Sequence, residues 1–214
     1  MSGRGARYRT PYGARGGIGS EYKDTEAVPQ PDANLAVLGH SQVGRLAAFN
    51  FGPVAYKTAG GVSKHYRFNF FTAPGATIQS LRGSDAWQRA ILLRPAVTFL
   101  FIGGNDVVSG REPITYAQDL QRLVEDYREL AGGKIHIFPI EIRTNPRGLS
   151  VDEYNKIRLA VNRHLKRGPK TSQLFMSIPC KKDELQADGV HINGKGCLWI
   201  IRFIARIASK DLQQ

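Results

Sequence analysis

The chain has 214 residues, 42% hydrophobic and 22% charged, enough for one globular core of useful size. Its 30 Lys and Arg against 18 Asp and Glu leave a net charge of +12, which favours an anionic contact such as nucleic acid or an acidic surface without marking a site. No apolar run approaches the roughly 18 residues of a membrane span, and no apolar leader core is evident, so a soluble, intracellular protein is expected.

Residues 1–30 read as a flexible basic arm. Arg4, Arg7, Arg9 and Arg15 lie among glycines, with Tyr8 and Tyr12 between them and no hydrophobic period. Such a mixture suits RNA binding through charge and stacking, and equally a disordered terminus that aids solubility. The acidic stretch from Glu21 to Glu26, with Pro29 and Pro31, marks the boundary to a domain over 31–214. From Asn34 onward, strand-like and helix-like stretches alternate. Leu35–Leu38 is a short buried strand that ends at Gly39 and turns through His40 and Ser41 into a helical segment. Tyr66–Thr72 alternates aromatic and polar residues and ends in Ala-Pro-Gly, a second strand. Ser84 caps a helix to Leu93, and the apolar run Ala96–Ile102 is a third, buried strand. A helix follows from Ile114 to Ala131, stopped by Gly132-Gly133, and Lys134–Ile140 is a fourth strand. Ser150 and Glu153 form a capping box for a helix to about Arg167. Ser172–Ile178 is a fifth strand, and Asn193–Ser209 an amphipathic helix. Strands separated by helices imply parallel pairing in a doubly wound α/β domain.

In such a sheet the residues just after each strand meet along one edge. Those residues are Gly39-His40-Ser41, Pro74-Gly75-Ala76 and Gly103-Gly104-Asn105-Asp106, joined near the end of the chain by Asp188-Gly189-Val190-His191. These are the parts of an acyl-transfer site. A serine at a strand-to-helix turn is exposed for attack, but needs a base, which His191 supplies. Asp188, three residues earlier, can hold the imidazole in one tautomer. The Ser41 and Gly75 N–H groups and the Asn105 amide can serve as oxyanion donors. Taken singly, each is unremarkable: Ser41 as an N-cap, Gly103-Gly104 as a turn, Asn105-Asp106 as a cap pair.

Together and in this order, the blocks GHSQVGR, APGATI, GGND and DGVH resemble the SGNH hydrolases, the GDSL-like esterase/lipase family. The resemblance spans Asn34 to Ser209. It implies a three-layer α/β/α sandwich with a five-stranded, mostly parallel, flavodoxin-like sheet. It implies Ser41, His191 and Asp188 as catalytic residues, with Ser41, Gly75 and Asn105 in the oxyanion hole. It also implies ester hydrolysis through an acyl-enzyme, with no metal or cofactor. One departure stands out: the family block usually reads Gly-Asp-Ser, and here His40 replaces that Asp. Short connections leave little for a lid, which points to a small-molecule ester with a small acyl group such as acetyl.

Other motifs are weaker. The spacing around Ser41 misses the G-x-S-x-G elbow of α/β-hydrolases by one residue, and Gly189–Gly196 nearly spells a P-loop but ends in glycine where Mg²⁺ needs a hydroxyl. Cys180 and Cys197 read as free thiols, or as one staple in an oxidising compartment. Basic residues cluster at Lys156, Arg158, Arg163, Lys166, Arg167 and Lys170, and again at Arg202, Arg206 and Lys210. With the arm they could follow phosphates, so the alternative function is a nucleic-acid-binding protein with a vestigial or accessory esterase site. Domains similar to this family occur in first-reading-frame proteins of some retrotransposons.

Overall fold

A computed structural model of the chain describes residues 31–49, 52–108, 110–167, 173–174 and 182–213. The basic arm, Lys170, Cys180 and the rest of the fifth predicted strand lie outside these residues.

The sheet runs β2-β3-β1-β4-β5-β6. Its strands are β1 (Ala33–Gly39), β2 (Val54–Lys57), β3 (Ser63–Thr72), β4 (Val97–Phe101), β5 (Lys134–Ile137) and β6 (Gln173–Leu174). The five strands expected from the sequence pair in parallel, β3 to β1, β1 to β4, β4 to β5 and β5 to β6. To these the structure adds β2, antiparallel to β3 at one edge. Its four residues, with Tyr56 buried between exposed Ala55 and Lys57, are too few to stand out as a periodic signal.

Helices cover both faces. α2 (Ile78–Arg82), α3 (Asp85–Leu92), α4 (Pro113–Ala131) and α5 (Val151–Arg167) lie on one, α1 (Ser41–Ala47) and α6 (Gly194–Leu212) on the other. Strand alternation accounts for the two cores. Ala36, Leu38, Leu100 and Ile137 point to the α3–α4–α5 side, with Leu120, Tyr127 and Leu165. Leu35, Val37, Val97 and Phe99 point the other way and meet Val43, Leu46, Ile200 and Ile204. The helices begin where the side chains dictate: Ser84 accepts from Trp87 N, Ser150 from Glu153 N at 3.2 Å, and Asn193 from Gly196 N at 3.1 Å. α4 stops at Gly132 and Gly133, both at φ +72°. Beyond β5, Phe138 N still bonds Leu100 O but the ladder then ends, because Pro139 has no N–H to continue it.

The topology fixes where a site can form. From β1 the chain goes by way of the edge strand β2 to β3 on one side and later to β4 on the other. β1 therefore stands at the switch point, where the loops after neighbouring strands part and leave a crevice.

Candidate active site

β1 ends at Gly39, where a Cβ would overlap the carbonyl oxygen of Phe101 on the neighbouring strand. Only glycine allows β1 and β4 to close up here while the chain turns. The next residue, His40, is buried and caps α1, its Nδ1 accepting from Gln42 N at 3.4 Å. Ser41 is the first residue of α1 and is half-buried.

The partner loop comes from the other end of the chain. His191 Nε2 lies 2.9 Å from Ser41 Oγ, and His191 Nδ1 lies 2.6 Å from Asp188 Oδ2. Asp188 Oδ1 accepts the N–H groups of Val190 and His191, both at 2.9 Å. Desolvation raises the Asp188 carboxyl, but these hydrogen bonds and the imidazole together outweigh it and hold it down at about 2. Asp188 is therefore ionised at any working pH, and its bond to Nδ1 leaves Nε2 facing the serine. Both residues are open to solvent, with side chains 24% (His191) and 44% (Asp188) exposed.

The loop around them is tied from three sides. Gln42, buried beside the serine, donates from Nε2 to Val190 O at 2.8 Å and accepts from Ile192 N at 3.1 Å through Oε1. One amide thus grips the backbone on both sides of His191. Thr144 N donates to Gly189 O at 2.8 Å, and Gly189, at φ +67°, has no room for a Cβ beside Thr144 Oγ1. Asn193 caps α6 and also donates to Asp183 O and Leu185 O. The glycines of the near-P-loop thus shape this loop and the entry to α6.

Gly75 and Asn105 lie in the loops after β3 and β4, the strands that flank β1. Ala73-Pro74-Gly75-Ala76 is a type II turn, closed by Ala76 N to Ala73 O at 3.0 Å with Gly75 at φ +76°. Asn105 Nδ2 donates to Ala76 O at 3.0 Å, joining the two loops. Both residues line one cavity of about 280 Å³, with Arg143, Arg147 and Tyr154. A second, of about 440 Å³, shares Thr77, Asn105 and Val108 with it and is lined also by Arg82, Asp106, Arg111 and Asp119. Asp106 accepts Ile78 N at 3.1 Å, which starts α2; burial pushes its carboxyl up to about 6 against the pull of that N–H and of Arg111.

His40 in place of an acid does not leave the turn without a carboxylate. Glu141, buried in the loop after β5, brings Oε2 to 3.9 Å from His40 Nε2. Burial, then the nearby Arg143 and His191, drive the His40 pKa down to about 3, so the ring is neutral. Burial raises the Glu141 carboxyl, with Arg143 opposing. Gln42, Glu141, Arg143 and Thr144 carry no pattern in the sequence that marks them. His136 packs on Phe99 with ring centroids 5.2 Å apart and meets Asp211. Among the described residues no group of three His, Cys, Asp or Glu is placed to hold a metal.

A model of the GDSL-like Lipase/Acylhydrolase family matches residues 48–197. That span holds Gly75, Asn105, Asp188 and His191 and begins beyond Ser41, so the serine is placed by the bonds around it. Solved structures share the fold at low identity. The lipase/acylhydrolase of Enterococcus faecalis superposes with a TM-score of 0.53 at 14% identity, covering 83% of this chain and 96% of that one. The acetylxylan esterase Axe2 of Geobacillus stearothermophilus gives 0.51 at 16%, covering 82% and 94%. The psychrotrophic esterase EstA of a Pseudoalteromonas species, inhibited by monoethylphosphonate, gives 0.54 at 17%, covering 86% and 100%. No curated protein matches the chain.

Proposed function

The chain belongs to the GDSL-like lipase/acylhydrolase family, and we propose that it hydrolyses carboxylic esters with Ser41 as nucleophile, His191 as general base and acid, and Asp188 as the group that orients the imidazole. The observation that carries this reading is the continuous chain Ser41 Oγ, His191, Asp188, with links of 2.9 and 2.6 Å. As Oγ bonds to the carbonyl carbon, its proton passes to His191 Nε2. The ionised Asp188 stabilises the imidazolium. The Ser41 and Gly75 N–H groups and the Asn105 amide face the negative oxygen of the tetrahedral intermediate. Collapse breaks the bond to the alcohol, which leaves with the proton from Nε2, and Ser41 keeps the acyl group. Water then attacks the acyl-enzyme, giving a proton to Nε2. That proton returns to Oγ as the carboxylic acid departs.

Small, polar-lined cavities of about 280 and 440 Å³ that both reach Asn105 support a small acyl group such as acetyl with a polar alcohol part. The test is hydrolysis of p-nitrophenyl acetate, butyrate and octanoate by wild type and variants. Ser41→Ala and His191→Ala should each lower turnover by about 10⁴ or more, with Asp188→Asn close behind. Rates should fall as the acyl chain lengthens. Equal turnover by wild type and Ser41→Ala would remove the serine from the mechanism, and a preference for octanoate would overturn the small-acyl reading.

A further inference from the structure

The two sides of the Asn105 amide are chemically distinguishable. Arg143 Nη2 lies 3.0 Å from Oδ1, and Ala76 O lies 3.0 Å from Nδ2. A guanidinium only donates and a carbonyl only accepts, so turning the amide over would face donor to donor and acceptor to acceptor. The amide is therefore held one way round, and Nδ2 keeps a second proton beyond the one given to Ala76 O, on a residue that lines a cavity with Gly75.

Arg143 is itself fixed. It is 8% exposed and lies over the Tyr154 ring, 5.6 Å from its centroid. The Tyr154 hydroxyl donates to Glu141 O at 3.1 Å, anchoring ring and loop together. Gly104 supplies the room: a Cβ there would stand 2.6 Å from Arg143 Nη2. The second glycine of Gly103-Gly104 thus makes space for a guanidinium that arrives from 39 residues further along the chain. Gly104 φ lies outside the left-handed region, so alanine is tolerated by the backbone and fails only on this contact.

We propose that Arg143 is a positioning residue of the oxyanion hole, acting through Asn105. It holds the amide in the orientation that offers an N–H to the developing negative oxygen, and sets a positive charge behind it. The inference rests on the esterase reading above. The bond that Arg143 secures matters most when the oxygen carries charge, so its loss falls on kcat and not on KM.

The test is a double-mutant cycle on p-nitrophenyl acetate, using the full-length protein. Arg143→Ala should lower kcat about 10²-fold, the scale of one lost oxyanion donor, with KM changed less than about threefold. In an Asn105→Ala background the same change should cost less than about threefold, because the group it positions is gone. Arg143→Lys should recover part of the rate, and added guanidinium chloride at millimolar levels should raise the Arg143→Ala rate through the adjoining cavity. If Arg143→Ala does not fold, Gly104→Ala carries the test: it keeps the arginine, displaces its guanidinium, and should lower kcat about tenfold. Full additivity in the cycle, or an effect confined to KM, would overturn the proposal while leaving the esterase reading intact. A wild type that hydrolyses no ester would overturn both.

Discussion

Single residues decide whether Ser41 can act, and their legibility differed with how they act. Ser41, Asp188 and His191 stand in short local motifs, so their types and order could be read directly. Gln42, Glu141 and Arg143 work through contacts made across the fold, and a single sequence carries no local pattern for those. Gln42 has a measurable task. Replacing it by Leu strips two backbone groups, Val190 O and Ile192 N, of their partners. Each such loss costs about 1–3 kcal/mol when buried, so Gln42→Leu should lose about 3 kcal/mol in urea unfolding and about tenfold in kcat. Unchanged turnover would show that His191 is held without it. His40 gives a pH signature. The fold accepts only its neutral ring, with a pKa near 3, whereas the unfolded chain takes up a proton near 6.5. Acid therefore favours unfolding: stability falls as pH drops from about 6.5 toward 3, by up to about 1.4 kcal/mol per pH unit from this group. His40→Asn keeps a capping side chain and should flatten that slope in urea melts between pH 7 and 4. The same slope in both proteins would mean that other groups set it.

At the scale of elements, the sequence was most informative where one signal ran long. α4 and α6, each of 19 residues, keep a helical apolar stripe, and α4 ends on two glycines; both were legible. α2, five residues begun by Thr77 and by the Asp106 carboxylate, and β2, four residues, are too short to show a period and depend on neighbours. α6 ran three residues past the expected Ser209, to Leu212, since its last turn rests on Lys134 and His136 through Asp211. The start of α6 links stability to the site, because Asn193 caps the helix two residues after His191. Asn193→Ala removes the cap and two bonds to the preceding loop. It should cost about 2 kcal/mol in urea unfolding and lower kcat less than Ser41→Ala does. A neutral stability effect would assign the helix start to packing alone.

Across the whole molecule, alternation of strands and helices gave the class of fold, and the switch point at β1 turned that class into a location for the site. Residues 150 positions apart, Ser41 and His191, meet there because the last helix packs beside α1, on the face opposite α4. No helix among the described residues is long and apolar enough to cross a membrane. The net charge of +12 has no counterpart in the chemistry proposed, which needs a neutral ester and one ionised carboxylate. The central claim, that Ser41 is an activated nucleophile, is tested most directly by a fluorophosphonate probe followed by peptide mapping. The account predicts stoichiometric labelling of the wild type at Ser41, lost in Ser41→Ala and reduced by orders of magnitude in His191→Ala. A well-folded wild type that stays unlabelled, or a label on another residue, would contradict it.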